Sequence, residues 1–121
     1  MMTFSRRLLG RAGEDLATAT LKRQGYKILE RNYTTPLGEI DLIAQHQGTL
    51  VFVEIKTRQT QTFGTAQEAV NSRKQARLYR LAEYYLKQRR LSSRPMRFDV
   101  VAISIQGPDT RVEIIPHAFG G

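Results

Sequence analysis

Residues 49–57, Thr49-Leu50-Val51-Phe52-Val53-Glu54-Ile55-Lys56-Thr57, constrain the fold more than any other part of the chain. In a strand successive side chains leave opposite faces, so Val51, Val53 and Ile55 share one face. The other face reads Leu50, Phe52, Glu54, Lys56, apolar at its start and charged at its end. A strand that is apolar on both faces must be covered on both, which belongs to a sheet lying between helices.

The flanking segments supply those layers. A first helix is expected from about Ser5 to Gln24, with Leu9, Ala12, Leu16 and Ala19 at helical spacing and Gly25 as its cap. Tyr26 to Tyr33 reads as a strand, followed by the turn signals Pro36 and Gly38. Glu39 to Gln45 alternates, which predicts Ile40, Leu42 and Ala44 on one face and Glu39, Asp41 and Ile43 on the other. His46-Gln47-Gly48 turns the chain into the segment above. Thr65 and Glu68 have capping-box spacing at the head of a long helix ending near Arg90. Arg97 to Ile105 is a further strand, and Arg111 to Ile115 a short edge strand. The expected order is α-β-β-β-α-β-β. It predicts an α/β sandwich with a mixed sheet, because the long helix permits a parallel crossover. At 121 residues there is room for one core, so residues 1–121 form one domain.

The charge is concentrated. Between Asn71 and Arg97 nine basic residues stand against Glu83 alone, which accounts for the whole net charge of +8. Arg73, Arg77, Arg80, Tyr84 and Lys87 fall on one helical stripe, beside a core stripe of Leu78, Leu81, Ala82 and Tyr85. A one-sided basic segment on a neutral body is the footprint of a polyanion binder, and equally of a solvated helix face. With no Cys there is no disulfide, iron–sulfur cluster, thiolate zinc site or cysteine nucleophile, and a reducing compartment is compatible. Ser5-Arg6-Arg7-Leu8-Leu9 echoes a twin-arginine signal, but Glu14 and Asp15 fall where its apolar stretch would lie. No apolar run reaches membrane-spanning length, and a cytoplasmic protein without a membrane partner is expected.

Glu54 and Lys56 leave the same strand face about 6.6 Å apart, and Asp41 lies on the neighbouring strand. Two carboxylates and an ammonium at one end of a hairpin suit an oxygen-ligated divalent cation such as Mg²⁺, with the lysine free to orient water or to meet phosphate charge. A cross-strand salt bridge is the ordinary alternative. Glu14 is a candidate third carboxylate.

Gly13-Glu14-Asp15-Leu16-Ala17, Gly25-Tyr26, Arg31-Asn32-Tyr33, Gly38 to Ala44, Val51 to Arg58, Phe63-Gly64, Glu68-Ala69-Val70 and Arg97 to Val101, in that order, resemble the YraN-like family of bacterial proteins. That family is similar to archaeal Holliday junction resolvases of the PD-(D/E)xK nuclease superfamily. The resemblance implies a restriction-endonuclease-like fold and metal-dependent phosphodiester hydrolysis. Glu14, Asp41, Glu54 and Lys56 match the superfamily's helix acid, two motif acids and lysine. Ile40 stands where the motif name has Pro, and Thr34 where another basic residue often follows Arg31-Asn32-Tyr33.

The expectation is therefore an Mg²⁺- or Mn²⁺-dependent endonuclease acting on branched or structured DNA, as one chain or a homodimer. Asp41, Glu54 and the Ile55 carbonyl would hold the metal, Lys56 would serve the nucleophile, and Glu14 would act directly or through water. Thr57, Arg58, Lys74 and Arg77 would lie nearest the scissile phosphate, with Arg31 and Arg80 extending the nucleic-acid surface. Two other classes stay open: a binding module that kept the fold without cleaving, and an adaptor using the basic helix on an acidic partner or membrane.

Overall fold

The computed structural model describes residues 6–58, 70–91, 94–106 and 108–120. Its elements are α1 (Arg6–Arg23), β1 (Lys27–Thr35), β2 (Gly38–His46), β3 (Thr49–Arg58), α2 (Ser72–Arg89), β4 (Met96–Gln106) and β5 (Asp109–Phe119). The order is the expected one, and the five strands lie side by side as β1-β2-β3-β4-β5. All neighbours are antiparallel except β3 and β4, which run parallel because α2 carries the chain back between them.

The two-faced β3 lies at the centre of the sheet. Val51 and Val53 pack with Ala17 and Leu21 of α1, while Leu50 and Phe52 pack with Leu78, Leu81 and Tyr85 of α2. All four β3 side chains are essentially excluded from solvent. Burying a side chain of this size contributes roughly 1.5–3 kcal/mol, and this strand contributes to the core on both faces of the sheet.

Two boundaries and one strand facing differ from expectation. α2 begins at Ser72, where Asn71 is the N-cap and its side chain accepts the Lys74 N–H at 3.0 Å. The Thr65/Glu68 capping box lies outside the described residues. β5 is longer than expected, running from Asp109 to Phe119. Its Pro116 is tolerated because an edge strand has a side that needs no N–H donor.

The third difference bears on function. Alternation in β2 breaks at Asp41: Ile40 packs on the α2 face together with Ile43, while Leu42 and Ala44 pack on the α1 face. Backbone pairing of β2 with β3 runs from His46↔Thr49 only as far as Leu42↔Val53. Beyond it the Asp41 carboxylate accepts the Ile55 N–H at 2.8 Å, so a side chain replaces a ladder bond where the strands part.

α1 approaches β3 closely because residue 13 is glycine. A Cβ there would stand 2.5 Å from Thr57 Oγ1 and 3.5 Å from Ile103 Cδ1. Glycine within a helix costs roughly 1 kcal/mol relative to alanine, and here it permits the contact. Gly13→Ala is expected to destabilise by about 1–3 kcal/mol through overpacking. Adding Thr57→Ala should recover most of the loss in urea unfolding, and a strictly additive double variant would refute the contact.

Candidate metal and nucleic-acid site

The parted ends of β2 and β3 bring Asp41, Glu54 and Lys56 together. Glu54 and Lys56 point to the α2 side, and Lys56 Nζ lies 3.7 Å from Glu54 Oε1. The same oxygen receives Lys74 Nζ from the first turn of α2 at 3.4 Å. The Glu54 side chain is only 13% exposed, so this doubly paired carboxylate is well shielded from bulk water. Burial and the nearby Glu54 charge push the Asp41 carboxyl up to about 6, with smaller contributions from Glu39 and Glu14 and opposition from the Ile55 N–H. Burial, followed by the adjacent Lys74 ammonium, lowers Lys56 below the ordinary lysine value.

Glu14 reaches this neighbourhood from α1 and is held in place by β1. Its Oε1 accepts from Arg31 Nε at 3.0 Å and from Asn32 Nδ2 at 2.7 Å. Asn32 takes a φ of 52°, a left-handed conformation that Asn enters more readily than most residues. Arg31 also bridges to Asp15 at 2.6 Å. Its guanidinium thus pairs with two α1 carboxylates and anchors Glu14.

Among the described residues no three Asp, Glu or His side chains close into a metal cluster. The expected convergence of three carboxylates is replaced by the pair Asp41 and Glu54, with Glu14 engaged by β1. That pair fits Mg²⁺, which is commonly held by one or two carboxylates and completes its shell with water and phosphate oxygens. Burial first and the Glu54 charge second disfavour the Asp41 anion, and a cation between the two carboxylates would offset both.

The expected phosphate contacts separate. Thr57 faces α1 beneath Gly13, on the opposite side of the sheet from Glu54 and Lys56. Arg58 ends β3, and its side chain lies outside the described portion. Lys74 is in the site but paired with Glu54. Arg77 is exposed and lays its stem against Gly38, where a Cβ would meet Arg77 Cδ at 3.8 Å, so its head group stands near the start of β2. Arg73 and Arg80 are exposed on the same side of α2.

The sequence profile of the Uncharacterised protein family UPF0102 matches residues 13–103, a span containing every residue of the site. The chain belongs to this family. It is 52% identical over 120 residues to a UPF0102 protein of Moorella thermoacetica, covering 98% of this chain and 100% of that relative. It is 49% identical over 118 residues to a UPF0102 protein of Syntrophotalea carbinolica, covering 98% and 96%. A UPF0102 protein of Syntrophus aciditrophicus is 46% identical over 110 residues, covering 91% and 87%. Among the described residues of this UPF0102 chain no helix is long and apolar enough to cross a membrane.

A second polar cluster in this UPF0102 fold lies outside the expected site. Asp99, fully buried in β4, accepts from Arg97 Nε at 2.9 Å, from Tyr26 Oη at 2.7 Å and from the His117 N–H at 2.9 Å. Arg97 also meets His46 Nδ1 at 2.8 Å, and the His46 ring stacks on Tyr26 with centroids 4.1 Å apart. Burial and Asp99 push the Tyr26 hydroxyl up to about 12, which keeps it a donor. The signal was Arg97 and Asp99 two apart on one face of an otherwise apolar strand. Every polar atom of Asp99 is engaged, so this network ties the end of α1 to β2, β4 and β5.

Proposed function

We propose that this protein is an Mg²⁺- or Mn²⁺-dependent endonuclease that hydrolyses phosphodiester bonds in structured or branched DNA. The observation that carries the proposal is the meeting of Asp41, Glu54 and Lys56 where β2 and β3 part, beside the exposed arginines of α2. Asp41 and Glu54, with the Ile55 carbonyl, would hold the metal. When bound, the ion supplies Lewis acidity at a phosphate oxygen and lowers the pKa of a water. Lys56 lies beside Glu54 with a lowered proton affinity, suited to orienting the attacking water and to meeting charge on the phosphate. Glu14, fixed by Arg31 and Asn32, would act directly or through water. Arg73, Arg77 and Arg80 would track the nucleic-acid backbone.

One observation favours a second reading. Glu54 is already neutralised by two lysines, which suits a module that binds DNA without cutting it. A panel of four-way, flapped, single-stranded and linear DNA incubated with Mg²⁺ or Mn²⁺ separates the two. Metal-dependent cleavage of branched substrates supports the nuclease, and tight binding with no cleavage under either metal supports the module. In both cases replacing Arg73, Arg77 and Arg80 by Ala should weaken binding across sequences and reduce the salt slope by about 2 to 3, at roughly 0.9 per lost phosphate contact. An unchanged slope would move the binding surface off α2.

A further inference from the structure

Lys74 differs from the other basic residues of α2 in where it points. Its backbone N–H is pinned by the Asn71 cap, while its ammonium reaches back to Glu54 Oε1, the oxygen that Lys56 also approaches. One carboxylate oxygen thus carries two ammonium groups, and one of them sits on a flexible four-carbon stem rooted in the helix that presents Arg73 and Arg77. Lys56 and Lys74 together balance the carboxylates of Glu54 and Asp41, so a divalent ion entering between the acids must compete with the Lys74 ammonium already on Glu54. A phosphate beside α2 offers Lys74 an alternative partner, because charge-assisted bonds from ammonium to phosphate are strong.

We propose that Lys74 is an exchangeable counter-ion of Glu54, pairing with the carboxylate in the free protein and moving to a phosphate oxygen when DNA binds, so that DNA and divalent metal bind cooperatively. The proposal rests on the metal-site reading above. Lys74 is then a positioning residue, and Lys56 remains with Glu54. The coupling is reciprocal: DNA tightens metal binding by the same factor by which metal tightens DNA binding.

The test is Mn²⁺ calorimetry on the full chain, with and without a four-way junction built from phosphorothioate linkages, for wild type, Lys74→Met and Lys74→Gln. Wild type is expected to bind Mn²⁺ about tenfold more tightly with the junction present. Lys74→Met, which keeps the stem and loses the charge, should bind Mn²⁺ about tenfold more tightly than wild type without DNA, and the junction should then add less than about twofold. Lys74→Gln can still donate to Glu54, and it should follow Lys74→Met if charge is the cause. Thermal melting checks that the variants fold, and wild type that binds Mn²⁺ equally with and without the junction overturns the proposal by itself. Mn²⁺ affinity within about twofold of wild type in a folded variant, or undiminished coupling, overturns the proposal and leaves the metal site intact. Absence of Mn²⁺ binding in every protein, with and without DNA, overturns the metal-site reading and the coupling together.

Discussion

Lys56→Ala is expected to lose about 10²- to 10³-fold in cleavage of a junction substrate, the range for removing a positioned group that stabilises developing charge. Its DNA affinity and melting temperature should change little. The two readings of Lys56 separate on stability as well as on chemistry. Breaking an isolated buried ion pair typically costs 3–5 kcal/mol, because the surviving charge is left unpaired. Here the surviving Glu54 keeps Lys74 at 3.4 Å, and Lys56 is itself disfavoured as a cation by burial and by that same Lys74. Removing it should therefore cost well under that range, and a melting temperature within a few degrees of wild type is expected. Purified variant and wild type, compared by thermal melting, junction binding and single-turnover cleavage, provide the check. A variant that melts far below wild type, or that cleaves as fast, would return Lys56 to a structural ion pair.

The fold was legible because its dominant signal is local. Residues 49–57 carry apolar side chains at both parities, and an apolar strand of that kind has few places in a small domain except the middle of a covered sheet. What could not be read concerns departures from regular geometry. Strict alternation assigned Ile40 to the face of Leu42, yet the strands part at Asp41 and Ile40 turns to α2. That break allows Asp41 to take the Ile55 N–H, and nothing in a period-two pattern marks it. Glu54 and Lys56 share a face, as two-residue spacing requires, but the involvement of Lys74 depends on where the crossover helix begins. Asn71 sets that start, and the sequence also offers Thr65 and Glu68 at capping-box spacing upstream of it. Thr57 is expected near the scissile phosphate, whereas odd parity on β3 places it under Gly13. Arg31 is expected on the nucleic-acid surface and Asn32 carries no expected role, yet both bond Glu14. Their hold on Glu14 joins residues 17 and 18 positions apart, a pairing created by the packing of α1 over β1.

Asp41→Asn should stabilise the metal-free protein at neutral and alkaline pH. The Asp41 carboxyl titrates near 6 in the fold, above the value of about 3.9 for an unfolded aspartate, so the fold holds this proton more tightly than the unfolded chain does. The stability that comes with the proton is fully present below about pH 4 and is lost as the pH rises through about 6. From the two proton affinities the loss is on the order of 3 kcal/mol. Asparagine keeps an oxygen to accept the Ile55 N–H and removes the charge that Glu54 repels. Wild type and variant should therefore melt close together near pH 4 and diverge above pH 6, with the variant higher by several degrees at pH 7.5 in the presence of a chelator. Comparing the two proteins cancels the pH dependence of the other ion pairs. Mn²⁺ in place of the chelator should reverse the order, raising the wild-type melting temperature by binding the folded form and moving the variant far less. If the variant melts below wild type at pH 7.5 without metal, Asp41 is stabilising as an anion, and burial with the Glu54 charge does not disfavour that anion in the fold. If Mn²⁺ raises both proteins equally, the ion binds elsewhere and Asp41 is not its ligand.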